Sequence, residues 1–525
     1  MVTAGARARA ERAARERLVT SLLRELDPPV TRDGDALGLT LPAGTLGVTL
    51  LHRSPTGHHR LAEAVTLDGR PATHDEVVTA VLETVGEGEP VDHLAAIVAD
   101  SVARTARYLD APAAPTGDRT RDAEQAVRYG HPFHPTPKSA EGLGDDDLTA
   151  WAPELGASFV LHHLALRDDV VLADGAPLTP PAAVAPHVPA GWTALPVHPY
   201  QARVLARDPT LALLEAEGAA RRLGPLGDPV WPTSSVRTVV DTVTGASWKL
   251  PLRARLTHFV RTTPPEHARR ALDAARVVAH LPALPPGFGV ISDLGFATLD
   301  PAVGGDRLAA DLTVIARAPF PPGSPRVLAA VLEDGPAGED PPLLADMRAA
   351  GDVHAWLRRW LAVSLVPMLH VFGSAGLGFE AHPQNTLVVT DDDGWPTACR
   401  VRDLEGAHLR RDRLPAGLPA DSPLVYTREE AWQRLRYHAV TNHLALLVAV
   451  LGRHTVGEEP LWATVAEVLG EVRDPAARPW AAELRHAPTL PAKAHLRSWA
   501  AGRGEDPIYV EVPNPIAAAG WRMPA

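Results

Sequence analysis

Four short clusters in this chain carry side chains that could act on an anion. None is a common nucleotide or zinc signature, since no GxxxxGK[ST] loop, strand-linked GxGxxG, HExxH or CxxC pair occurs. The first runs Gly130-His131-Pro132-Phe133-His134-Pro135-Thr136-Pro137-Lys138-Ser139. Its three prolines hold the chain extended and donate no hydrogen bonds, so the segment can present two imidazoles and the Lys138 ammonium to an anion. It can equally be a stiffened surface loop, and an HxxH pair with no carboxylate nearby lacks a third metal ligand. The second, Leu195-Pro196-Val197-His198-Pro199-Tyr200-Gln201, repeats the His-Pro device where a strand meets a turn.

The third cluster is Thr233-Ser234-Ser235-Val236-Arg237-Thr238, placed by its pattern on a strand whose partner carries Lys249. Hydroxyls with a guanidinium and an ammonium suit a triphosphate and a carboxylate through charge-assisted hydrogen bonds; a solvated sheet face is the plain alternative. The fourth is Phe379-Glu380-Ala381-His382-Pro383-Gln384-Asn385, followed by Arg402-Asp403-Leu404-Glu405-Gly406. Carboxylates and an amide flanking a hairpin make an oxygen-rich pocket suited to Mg²⁺ on phosphates. Kinase-like phosphotransferases use Asn and Asp in a comparable arrangement, so that chemistry is a second candidate.

The elements that must position these clusters follow from periodicity. A helix is expected from Met1 to Leu26, a hairpin over Leu37–Leu41 and Val48–Leu51, and helices at His74–Val85 and Leu94–Leu109. Ala111–Asp122 reads as a loop, as do the Pro-rich stretches Pro177–Pro189 and Pro319–Pro342. Between Pro232 and Thr262 two strands flank the turn-prone segment Asp241–Ser247. Leu250, Leu252, Ala254 and Leu256 alternate with Lys249, Arg253, Arg255 and Thr257, which predicts one apolar face and one cationic face continued by Arg261. A Trp- and Leu-rich helix near Asp352, a second hairpin over Thr386–Thr390 and Thr397–Asp403, and helices at Arg428–Leu451 and Leu461–Leu469 complete the reading.

Composition bounds the function. At 525 residues, with 45% apolar and 22% charged side chains, two or three packed regions are expected. The formal charge of −12 and the lack of a basic aromatic stripe argue against nucleic acid as a partner. The single cysteine, Cys399, excludes an internal disulfide and fits a reducing cytoplasm; it reads as filler in a strand. The first helix lacks a signal-peptide core, and Leu361–Phe379 is too interrupted for a membrane span, so no membrane association is expected.

In order, GHPFHPTPK, APE at Ala152–Glu154, LPVHPYQ, TSSVRT, KLPLRARLTHFVR, EAHPQN and RDLEG resemble the IucA/IucC family of siderophore synthetases. PAK at Pro491–Lys493 and NP at Asn514–Pro515 extend the likeness towards the C-terminus. The resemblance implies an α+β, three-part hand. A thumb would span residues 1–125, β-rich fingers 126–345, and a mainly helical palm with a FhuF-like C-terminal part 346–525, with ATP between fingers and palm. It further implies that Ser235, Arg237, Thr238 and Lys249 grip the ATP phosphates with His131 and Lys138. Thr257, Arg261 and His382 would hold the carboxylate, with Arg261, His382 and Lys249 as the catalytic set. Gln384, Asn385, Glu380 and Asp403 would serve the nucleotide and its Mg²⁺, the last three as metal ligands. Tyr200, Ala140 and His258 depart from the family's usual Trp, Arg and Asn.

The implied reaction is adenylation of citrate or a related acid, followed by attack of an amine, hydroxylamine-bearing polyamine or alcohol, with release of AMP and pyrophosphate. A cytoplasmic homodimer is implied as well. A kinase-like phosphotransferase would instead release ADP, with Glu380 as base. An iron-binding or iron-reducing protein is a third class, but one cysteine cannot hold a cluster.

Overall fold

The computed structural model describes residues 2–86, 90–257, 259–281, 283–504 and 506–520. The expected first helix forms as Ala4–Leu26, is capped by the Thr3 hydroxyl and buries an i, i+4 stripe of Ala6, Ala10, Ala14, Leu18 and Leu22. That stripe packs on the helix Val91–Asp110 and on a small sheet led by the hairpin Ala36–Leu41 and Gly44–His52. Leu496, Trp499 and Ala500 join the same core, so the end of the chain closes over its beginning. Helices His74–Val85 and Val91–Asp110 lie where periodicity places them. The expected loop 111–122 is shorter than read, because Asp118 caps a helix at Arg119–Glu124.

The middle of the chain builds an eight-stranded antiparallel sheet, with Ala220–Pro232, Thr238–Asp241, Ser247–Lys249 and Val314–Arg317 adjacent at its centre. The expected continuous cationic face does not form. Strand Ser247–Lys249 ends at Leu250-Pro251, where proline offers no N–H to the ladder, and the chain passes to another sheet. There Leu252–Leu256 pairs with Phe259–Arg261 and Ala140–Glu141. Leu250, Leu252, Ala254 and Leu256 are buried as predicted, but Arg253 turns to Asp311 and Arg255 to Glu141, away from Lys249.

The largest core runs from Ala271 to Ile516 around Trp356, Trp360 and Trp462. Its sheet pairs the hairpin Thr386–Thr390 and Pro396–Arg402 with Phe288–Ile291, in parallel, and with Arg326–Val327. Residues 319–342 are therefore not only a surface connection: they supply this edge strand and the buried helix Leu328–Leu332. Segment 361–379 is a broken buried helix, kinked at Ser364, whose hydroxyl bonds back to the Trp360 carbonyl. A π-helix, Arg436–Leu444, follows the helix Arg428–Leu435. Cys399 is buried in its strand. Among the described residues no helix is long and apolar enough to cross a membrane.

Candidate active site

The strands Ala220–Pro232 and Thr238–Asp241 are joined by a tight turn, so the TSSVRT cluster lies on a turn and not along a strand as its pattern suggests. Thr233 N–H closes the turn on the Thr238 carbonyl at 2.8 Å, and Ser235 Oγ accepts from Thr238 N–H at 3.2 Å. Val236 is held at φ 67°. This projects Arg237, whose Nη1 donates to Thr263 Oγ1 at 2.7 Å and to the Arg261 carbonyl at 3.2 Å. Thr238 faces Lys249 across the ladder. Thr257, at φ 62°, accepts from Arg261 Nη2 at 2.8 Å. Positive φ at β-branched residues is costly, roughly 1–3 kcal/mol each, and such strain gathers at ligand sites. Val236, Thr257 and Asp403, also at φ 67°, all face one cavity.

The acidic side of that cavity comes from the ends of the second hairpin. Asp403 follows Pro396–Arg402, and its carboxylate accepts from Lys249 Nζ at 2.5 Å and Arg317 Nη2 at 3.0 Å. Lys249 also reaches Glu405 at 2.6 Å, and His267 approaches Glu405 at 3.1 Å. Burial alone would raise both acids, but Lys249 with Arg317 holds Asp403 below the usual carboxylate range, and Lys249 with His267 and Arg237 does the same for Glu405. Asn385 N–H₂ donates to the Glu380 carbonyl at 3.2 Å, which leaves its amide oxygen available. Burial raises Glu380, with Lys493 opposing.

A second, buried pair locks the hairpin Thr386–Thr390 and Pro396–Arg402 to the helix Arg119–Glu124. Arg402 donates to both oxygens of Glu124, at 2.7 and 3.1 Å, and to the Gln384 carbonyl at 2.8 Å. Glu124 also accepts from Ser234 N–H at 3.0 Å, and Gln384 Nε2 donates to the Ser234 carbonyl at 2.8 Å. Removing one partner of a buried, bidentate pair strands the other's charge. Glu124→Ala is expected to lose about 3–5 kcal/mol of stability, read as a lowered denaturant midpoint.

The cavity encloses about 1040 Å³, above the range of roughly 300–1,000 Å³ usual for one small ligand, and so has room for more than one substrate. All the sequence-derived site residues line it except Thr238, whose side chain is buried in its strand. Arg261 is the telling member. Its guanidinium makes no carboxylate contact within 4 Å among the described residues and lies only on Thr257 and the Phe259 ring. Burial and neighbouring Arg237 lower it to about 10, so it stays cationic at neutral pH. His382 is different: burial pushes it down to about 4, making it a neutral hydrogen-bonding group. His131 is likewise neutral and bonds Asn442 at 3.1 Å, while Lys138 is held by Glu154 at 2.5 Å, so the first loop is mainly a braced wall.

Several lining residues were missed as site members. Arg434 lies over Tyr426 and Lys493 over Tyr437, with no ion pair for either among the described residues. Lys493 belongs to the quoted PAK triplet and Glu405 to RDLEG, whereas Arg317 and Arg434 have no local signature. The first helix positions Lys493: Arg24 donates to its carbonyl at 3.0 Å, and Glu25 accepts from Leu496 and Arg497 N–H at 3.2 and 3.0 Å. Of the departures, Ala140 lines the cavity. Tyr200 does not; it packs on Trp151 and donates to the Arg253 carbonyl. His258 lies outside the described residues. No group of three or more His, Cys, Asp or Glu side chains able to hold a metal occurs among the described residues. Asp403, Asn385 and Glu380 are oxygen donors of the kind that holds Mg²⁺ together with phosphate, so the set fits a nucleotide-borne ion.

Known proteins resemble this chain in sequence and in fold. Residues 119–333 match the model of the IucA / IucC family, and residues 354–505 match one described as ferric iron reductase FhuF-like transporter. An L-2,3-diaminopropanoate–citrate ligase of Staphylococcus aureus is 35% identical over 88% of this chain and 88% of its own length. The rhizobactin siderophore biosynthesis protein RhbC of Rhizobium meliloti is 31% identical, covering 91% of this chain and 92% of its own. The fold is that of ATP-bound aerobactin synthetase IucA from Klebsiella pneumoniae, with a TM-score of 0.86 at 24% identity, covering 96% of this chain and 99% of that one.

Proposed function

The chain belongs to the IucA/IucC family, and on that premise we propose that it is an ATP-dependent ligase of siderophore assembly. It activates citrate or a closely related polycarboxylate as an acyl-adenylate and condenses it with an amine, releasing AMP and pyrophosphate. The observation that carries this reading is Arg261, a half-buried guanidinium with no carboxylate within 4 Å among the described residues, facing the same cavity as Arg237 and Lys249. A half-buried charge of this kind is stable when a ligand supplies its counter-ion. Arg434 and Lys493, on the palm wall, supply cations for the further carboxylates of a polyacid.

An oxygen of the acid attacks the α-phosphorus and the bond to pyrophosphate breaks. The amine nitrogen then attacks the acyl carbon; the C–N bond forms, the C–O bond to phosphate breaks, AMP leaves and the nitrogen gives up its proton. Lys249 moves from Asp403 and Glu405 to the phosphates, Arg237 stays beside it, and Thr257 aims Arg261 at the acid. Catalysis rests on positioning and on cations placed where negative charge gathers. Bound with the nucleotide, Mg²⁺ would neutralise phosphate charge, held by Asp403, Asn385 and Glu380. The three-part hand and a cytoplasmic homodimer belong to this reading.

Product analysis tests it. With citrate and 2,3-diaminopropanoate, turnover is expected to give AMP and pyrophosphate in equal amounts, and citrate alone to support exchange of pyrophosphate into ATP. ADP as the nucleotide product would instead establish the phosphotransferase.

A further inference from the structure

The cavity has an outer arm that the reaction above does not use. It is walled by the first helix, by Arg60 and by residues 332–338, and the helix Ala445–His454 runs along it. On that wall Asn442, Leu446, Val450 and Arg453 share one face and lead outward from the His131 loop over roughly 16 Å at 1.5 Å per residue. The carboxylates here are already engaged. Glu16 and Asp334 both hold Arg60, at 3.1 and 3.0 Å, and Glu333 accepts three backbone N–H groups, from Arg128, Tyr129 and Gly130. Arg17 is spent on the carbonyls of Tyr129 and His131. That leaves Arg9, Arg12 and Arg453. None of them makes an ion pair within 4 Å among the described residues, Arg12 touches only the Leu61 carbonyl at 3.5 Å, and all three line the arm half-buried.

Three guanidinium groups lining a cavity with no ion pair within 4 Å among the described residues are notable on a chain whose net charge is −12. The overall field repels a polycarboxylate, whereas cations set in a low-dielectric cleft focus an opposite local field and speed the encounter. We propose that this outer arm is an anion-capture site that draws the polycarboxylate in from solvent and passes it along the Asn442–Arg453 wall to Arg261. The site is separate from the one where the acid reacts. Naming the captured anion as the acid rests on the ligase reading; the existence of the site rests on the unpaired arginines alone.

The test is the triple variant Arg9→Gln, Arg12→Gln and Arg453→Gln, which removes the charge, keeps a polar side chain and breaks no ion pair among the described residues. Stopped-flow tryptophan fluorescence gives the citrate association rate, and pyrophosphate exchange gives kcat and KM. At low salt the variant should associate with citrate about 10-fold more slowly, the lower end of steering effects. Its kcat and KM for ATP should stay as in wild type. Near 1 M salt, where the Debye length is about 3 Å, the two proteins should converge. Equal association rates at low salt, a difference that salt does not erase, or a change confined to the KM of the amine would each overturn the proposal. Wild-type protein that shows salt-dependent citrate association but no pyrophosphate exchange would refute the ligase reading and still support the capture site.

Discussion

Arg261→Ala is expected to lose citrate-dependent pyrophosphate exchange almost entirely while the protein remains folded. Truncating one partner of a desolvated, charge-assisted contact costs about 2–5 kcal/mol, or roughly 30- to 5,000-fold, and the partner proposed for Arg261 is the substrate carboxylate. The fold does not depend on this guanidinium, because among the described residues it hydrogen-bonds only Thr257 Oγ1, and Arg237 is held by the Arg261 backbone carbonyl. The loss should appear in kcat/KM for the acid, with nucleotide binding near wild type and an unchanged unfolding midpoint. The same group sets an alkaline limit. Arg261 is cationic below its lowered value of about 10, so acid binding is present at neutral pH and falls as pH rises through that value. Unchanged saturation by citrate in a folded Arg261→Ala protein would remove this residue from the carboxylate site.

Asp403→Asn is expected to raise the Mg²⁺ concentration for half-maximal AMP formation by roughly 10- to 100-fold, the usual cost of disturbing a metal's carboxylate support. Binding of free citrate should change little. Asp403 is the counter-ion of Lys249 and Arg317, and both retain another carboxylate after the change: Lys249 has Glu405, and Arg317 has Asp293 at 2.8 Å. The fold should therefore survive, and the defect should follow metal and nucleotide. Lys249→Ala provides the contrast, since it removes the cation proposed for the phosphates and should raise the KM for ATP at every Mg²⁺ concentration. An unaltered metal dependence in Asp403→Asn would mean that this carboxylate only anchors Lys249.

The sequence by itself determined many of the local elements and a set of candidate residues of which all but Thr238 line the cavity. The first helix, the burial of Leu250, Leu252, Ala254 and Leu256 and the hairpin at 386–402 follow from short-range patterns. Motif order gave Arg261, Lys249, Asp403 and Asn385 because each stands in a short run of recognisable residue types. What periodicity could not give is where a ladder stops. Pro251 ends the strand after Lys249, so Arg253 and Arg255 leave the cationic set, while positive-φ turns at Val236 and Thr257 bring Arg237 and Arg261 back. Pairings between distant residues lay further out of reach: Arg402 with Glu124, Asp403 with Lys249 and Arg317, and the first helix bracing Lys493 through Arg24 and Glu25. Only the tertiary structure decided these, because a charge finds its counter-charge through space, and burial then sets which groups stay ionised and which are left for a ligand.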